Sequence, residues 1–134
     1  MENFIFQNPT KLIFGKGMIA RLAQEVPAGK RVMVTFGGGS VKKNGVYEQV
    51  KAALKGFDVV EFWGIEANPK IETLRKAIQL GKEEKVDFLI AVGGGSVIDG
   101  TKLIAAGLLD EGDAWDLVLQ GNCRNTVPLG TVLT

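Results

Sequence analysis

Gly-Gly-Gly-Ser-Val occurs twice in this sequence, at residues 37–41 and 93–97, each time directly behind an apolar run. The second copy is the fuller one. Residues 88–92 read Phe-Leu-Ile-Ala-Val, and five apolar residues without polar alternation predict a strand buried on both faces, the habit of parallel sheets covered by helices. The glycines then stand at the strand's carboxyl end, ahead of a helix, where unpaired backbone N–H groups and the positive end of the helix dipole can meet an anion. Lacking Cβ atoms, they let a phosphate reach the backbone, which makes Gly94, Gly95 and Ser96 candidate phosphate-binding residues. Ser96 and Asp99 fit a helix capping box equally well, and one serine can serve both purposes. The pattern departs from the usual dinucleotide fingerprint, because Ile98 stands where its last glycine is expected. It also departs from a P-loop, because Thr101-Lys102 reverses the Lys-Ser/Thr order, so a nucleoside triphosphatase is disfavoured.

Other catalytic chemistry is restricted by what the sequence lacks. It holds no histidine, so the usual serine and cysteine triads and His-containing zinc or iron sites cannot be assembled from it. The single Cys123 has no internal disulfide partner, in keeping with a reducing compartment. Asp110, Glu111 and Asp113 read as a solvated loop rather than a metal site. A net charge of +1 gives no electrostatic case for nucleic acid or an anionic membrane as partner. With no apolar run long enough to cross a bilayer and no signal-like start, a soluble cytoplasmic protein is expected. At 134 residues, 46% hydrophobic and 23% charged, the chain is expected to form one domain, residues 1–134.

The elements that must position the two glycine corners alternate along the chain. Strands are predicted at 31–36, at 58–62 as a third core strand, at 88–92 and within 126–134; helices at 46–54, at 71–85 and after the second corner. Residues 114–119 are expected to make a short helical turn at most. Phe4-Ile5-Phe6 and residues 11–14, separated by Asn8-Pro9, predict an N-terminal β-hairpin or ribbon. The fold class is therefore α/β: a Rossmann-like, mostly parallel sheet with helices on both faces, plus that ribbon. Right-handed connections would set both corners along one sheet edge.

With both corners in view, the sequence resembles the iron-dependent (group III) alcohol dehydrogenases, in the NADP-preferring butanol dehydrogenase and aldehyde reductase branch. The matching stretches are residues 12–17, 37–46, 64–69 (Gly-Ile-Glu-Ala-Asn-Pro), 93–102 and 128–134. The resemblance implies that the chain is the family's dinucleotide-binding domain, whose parent interconverts small aldehydes and primary alcohols by hydride transfer. In the family a following helical domain supplies an aspartate and three histidines for Fe(II) or Zn(II). No such metal site is expected here, so turnover by this chain alone is expected to be lost. The resemblance places Gly94, Gly95 and Ser96 against the pyrophosphate, and Gly38, Gly39 and Ser40 around the adenosine ribose. Asn68 and Thr134 fall at the adenosine half and the cofactor wall, and Asp99 is expected to be tied to backbone N–H groups or to a ribose hydroxyl. NAD-preferring relatives carry an aspartate in the first corner. Glycines there, with Ser40 as donor and Lys42 and Lys43 nearby, favour NADP over NAD, and one charge-assisted contact is worth roughly 1.5–3 kcal/mol. A homodimer through the N-terminal ribbon is a further implication. The rival readings are a stand-alone, non-catalytic dinucleotide-binding module and an inactive truncated fragment.

Overall fold

The computed structural model describes Asn3, Ile5, residues 7–121 and residues 125–134. Four strands form one sheet: β1 (Arg31–Phe36), β2 (Asp58–Phe62), β3 (Phe88–Gly93) and β4 (Leu129–Leu133), in the order β2-β1-β3-β4 and parallel throughout. The helices are α1 (Leu22–Glu25, entered through a 3-10 turn at Met18–Arg21), α2 (Ser40–Lys43), α3 (Val46–Ala53), α4 (Ile71–Glu83), α5 (Gly95–Gly107) and α6 (Ala114–Gln120). No helix among the described residues is long and apolar enough to cross a membrane.

The central pair explains the unbroken apolar runs. Side chains alternate across a strand, so a strand covered on both faces needs apolar residues at every position. Val32, Val34 and Phe36 of β1 join Ile90 and Val92 of β3 on one face, under Val50 of α3 and the adjoining Leu54. Met33, Leu89 and Ala91 take the other face, under Leu74, Ala77 and Ile78 of α4 and Ile104 of α5. Each such aliphatic side chain, fully withdrawn from water, contributes ~1.5–3 kcal/mol. Helices α4 and α5 approach closely because glycine stands at their contact. A side-chain carbon at Gly107 would collide with Cδ1 of Ile78, and one at Gly100 would lie 3.1 Å from Cδ2 of Leu74.

Three expectations are corrected. Strand β2 is not a core strand but an edge strand: among the described residues it pairs only with β1, and Val59 is 38% exposed. Residues 114–120 form a full helix rather than a turn at most. Asp113 takes extended dihedrals ahead of it and grips the Arg75 guanidinium with both oxygens at 2.9 and 2.7 Å; Ala114 is buried, and Gly121 ends the helix in the left-handed region. Of the expected N-terminal ribbon, Phe4 and Phe6 lie outside the described residues, while residues 11–14 form no strand, and Leu12 and Phe14 are 86% and 93% exposed. A two-stranded ribbon with nothing beneath it is marginal in water, and the described sheet offers this run no neighbour. Its described anchor is the ion pair from Lys11 Nζ to Glu25 Oε1, 2.7 Å.

Candidate functional site

The chain leaves β1 for β2 on one side and returns to β3 on the other, so the carboxyl ends of β1 and β3 form the switch point of the sheet, the usual ligand crevice of open α/β folds. Both glycine corners sit there. In the second, Gly93 has φ +155°, and a side-chain carbon would stand 2.7 Å from Val97 Cγ2, so glycine is required by packing. Its two successors differ. Gly94, extended at φ −88° and ψ −167°, precedes α5, Gly95 opens it, and no heavy atom lies within 4 Å of a side-chain carbon placed on either. Nothing in the described fold requires glycine at these two positions, yet together they leave bare backbone at the N-terminus of a 13-residue helix. The first α5 hydrogen bond is donated by Ile98 N to Gly94 O, so the N–H groups of Gly95, Ser96 and Val97 precede the helix's own ladder.

Ser96 is not the helix cap. Its hydroxyl donates to the backbone carbonyl of Ala67, and α5 has no side-chain cap, which sets aside the capping box. Asp99, one turn into α5, is exposed, and among the described residues its side chain makes no hydrogen bond or ion pair; of its two expected partners, backbone N–H groups or a ribose hydroxyl, the first is not found there.

The first corner leans on the same side chain. A carbon at Gly37 would lie 3.4 Å from Val97 Cγ2, so one isopropyl group separates the two corners. Gly38 and Gly39 face open space, Gly39 with φ +127°, and the exposed Ser40 opens α2. The loop at 64–70 is fastened over this edge: Gly64 N donates to Gly37 O (3.1 Å), Ile65 N to Phe36 O (3.2 Å), and Ala67 O accepts from Ser96. It carries the exposed Asn68. On the far side Thr134 N donates to Gly93 O at 3.1 Å. Gly38, Gly39, Ser40, Asn68, Gly94, Gly95, Ser96 and Thr134 therefore all fall on one sheet edge, with Asp99 a turn behind.

Sequence reasoning missed three supports of this edge. Behind it, Thr35 and Thr101, both fully buried, share a hydroxyl hydrogen bond of 2.6 Å, and Thr101 also donates to Val97 O at 2.6 Å, tying α5 to β1. Beneath the loop, Glu66 accepts from the Thr73 hydroxyl at 3.0 Å; its own backbone N–H, then Thr73, holds its carboxyl below the ordinary range. Beside the first corner, Trp63 stacks on Phe36 with ring centres 3.9 Å apart, and Tyr47 lies edge-on to the same ring. Glu61 accepts from the Tyr47 hydroxyl (2.8 Å) and from the Trp63 indole N–H (2.9 Å), and this holds the Tyr47 hydroxyl proton to higher pH than usual. Only an apolar–aromatic composition hinted at this cluster; the threonine pair left no sequence signal, since its members lie 66 residues apart.

A separate groove of about 540 Å³ lies between α3 and β2, lined by Val50, Lys51, Lys55, Phe57 and Val59 among others, and includes neither corner. No group of three or more His, Cys, Asp or Glu side chains among the described residues is placed to hold a metal ion.

Comparison with known proteins follows the same residues. The family described as "Iron-containing alcohol dehydrogenase" matches residues 9–134. The chain is 52% identical over 138 residues to the NADPH-dependent aldehyde reductase YqhD of Escherichia coli, and 51% identical over 138 residues to the probable NADH-dependent butanol dehydrogenase 1 of Bacillus subtilis; each alignment covers 100% of this chain and 36% of the relative. Among solved structures, the NADH-dependent butanol dehydrogenase A of Thermotoga maritima superposes with a TM-score of 0.93 at 46% identity, over 100% of this chain and 35% of that one. The Escherichia coli YqhD structure gives 0.92 at 52% identity, over 98% and 35%. The chain thus spans about a third of the length of these relatives.

Proposed function

Because the chain belongs to the iron-containing alcohol dehydrogenase family, we propose that residues 1–134 are a domain that binds a nicotinamide dinucleotide across the two glycine corners, NADP in preference to NAD. The observation that carries the reading is the open backbone of Gly94 and Gly95 at the start of α5: a cradle that any side chain would fill and that the fold does not otherwise need. The residues present fit a pyrophosphate, which takes the N–H groups of Gly95, Ser96 and Val97 and the positive end of α5, a contribution of ~0.3–2 kcal/mol from the dipole. Ser96 positions the cradle by fastening the 64–70 loop. Val97 sets the spacing of the two corners, so the adenosine ribose lies along Gly38, Gly39 and Ser40 with Asn68 above it, and Thr134 walls the opposite side. Asp99, whose side chain has no partner among the described residues, is left for a ribose hydroxyl nearer the nicotinamide.

When bound, the dinucleotide supplies a hydride donor or acceptor; the names of the relatives, aldehyde reductase and butanol dehydrogenase, suggest small aldehydes and primary alcohols as the parent substrates. The described residues do not offer a donor set that fits an iron ion, and what this chain contributes is binding and orientation of the dinucleotide. The exposed Leu12 and Phe14 and the open β2 edge support a homodimer through the N-terminal run, and the lone cysteine is compatible with the cytoplasm.

Isothermal titration of the folded chain with NADP⁺ and with NAD⁺ tests this, alongside Gly94→Asp. Gly94 already has the dihedrals of a helix N-cap, where aspartate is favoured, so the variant is expected to fold at least as stably while its carboxylate occupies the anion site. Saturable binding of NADP⁺, weaker for NAD⁺ and lost in the variant, is the expected result; no binding of either by the folded wild-type chain overturns the proposal.

A further inference from the structure

Lys42 occupies an unusual resting place. Its backbone N–H closes the first corner on Gly39 O at 3.0 Å, while its ammonium lies 4.5 Å above the Trp63 ring centre and 5.4 Å from that of Tyr47. The aromatic surface under it is fixed from below by the Phe36 stack and from the side by Glu61, whose oxygens are taken by the Tyr47 hydroxyl and the Trp63 indole N–H. Among the described residues Lys42 has no ion pair, and neither does Lys43. A cation over an exposed aromatic face is held weakly, a cation on a phosphate more strongly, and the lysine stem can rotate from one to the other.

We propose that Lys42 is the residue that distinguishes a 2′-phosphorylated dinucleotide from its 2′-hydroxyl counterpart, and that it does so by moving from the face of Trp63 to the phosphate. The inference rests on the dinucleotide reading above and adds the group that selects and the aromatic surface on which it waits. The dinucleotide reading places the adenosine ribose beside Ser40, which opens α2, and Lys42 follows two residues later on the same short helix. Holding the ammonium on the rings keeps it close to the corner, while the nearby Glu61 carboxylate is engaged by the Tyr47 hydroxyl and the Trp63 indole N–H, and Lys51 lies 5.7 Å from the Tyr47 ring centre. Departure of the cation changes the surroundings of Trp63, so the exchange carries its own optical signal.

The test uses the whole chain in a Trp115→Phe background, which leaves Trp63 as the sole indole. Emission is followed while NADP⁺, NAD⁺ or inorganic phosphate is added at constant ionic strength, and affinities are measured by calorimetry. NADP⁺ is expected to alter Trp63 emission beyond any change with NAD⁺, and phosphate alone to leave it unaltered. In Lys42→Met that difference disappears, and the NADP⁺ over NAD⁺ preference falls by about ten-fold through weaker NADP⁺ binding, with NAD⁺ affinity kept. Lys42→Arg retains the preference and Lys43→Met leaves it intact. An unchanged preference in Lys42→Met, or equal Trp63 responses to the two nucleotides in the protein that keeps Lys42, overturns the proposal while leaving dinucleotide binding in place. Failure of the wild-type chain to bind either nucleotide removes the underlying reading and this inference with it.

Discussion

Replacing Gly95 by alanine separates folding from binding. The new methyl has no heavy atom within 4 Å, and the residue has no positive φ and opens a helix, so the chain loses only unfolded-state freedom. Such a substitution adds ~0.4–1 kcal/mol of stability, which for a domain of this size raises the melting temperature by roughly 2–6 °C. The same methyl projects into the cradle where a pyrophosphate must approach the backbone, and a loss of about 1.4 kcal/mol or more there weakens NADP⁺ binding at least ten-fold. Gly93→Ala is the contrasting case: φ +155° and a 2.7 Å approach to Val97 Cγ2 make it cost ~1–3 kcal/mol of stability, so fold and binding decline together. Scanning calorimetry and nucleotide titration on both variants provide the check. A Gly95→Ala protein that binds NADP⁺ like the wild type would refute the claim that the anion meets this stretch of backbone.

Two further outcomes concern the support of the site. Thr101→Val leaves the Thr35 hydroxyl with only a 3.4 Å contact to Ile90 O and should cost ~1–3 kcal/mol in urea unfolding, whereas the double variant with Thr35→Val should cost clearly less than the two singles combined; additive costs would dissolve the pair. The Asp113 carboxyl is held below its ordinary range, chiefly by the Arg75 guanidinium, so the folded state binds its proton less readily than the unfolded one. Its contribution to stability is therefore present above the ordinary aspartate value and lost as pH falls through the depressed one. The stability difference between wild type and Asp113→Asn should shrink over that acid window; a difference independent of pH would count against the ion pair.

What the sequence disclosed and what it hid divide along contact range. The glycine corners and the runs at 31–36 and 88–93 were legible because strand burial and a turn ahead of a helix are written in consecutive residues. The edge position of β2 was not, since Val59-Val60 looks apolar whether one neighbour or two will pair with it. Helix α6 was hidden because its N-terminus is fixed by Arg75, 38 residues away. The capping reading of Ser96 failed for the same reason: a local pattern was outcompeted by the Ala67 carbonyl, 29 residues distant. For Lys42 the sequence disclosed a cation near the first corner but not its resting place, because the Phe36, Tyr47 and Trp63 rings that converge there come from separate elements.

The bonds that build the sheet edge also constrain the order in which the chain can fold. Thr35 meets Ile90 and Thr101 across 55 and 66 residues, and the Ser96 to Ala67 bond can form only after α4 has carried the chain across the sheet. Contacts of such separation must wait for loop closure, as must the β1–β3 pairing beneath them, so the hydroxyl bonds that rest on that pairing are expected to close last, with low φ-values in the folding transition state. Interactions absent from the transition state leave the folding rate almost untouched and slow the reverse reaction. A ligand seated between the two glycine turns then acts as a brake on unfolding, lengthening the lifetime of the native chain without hastening its birth.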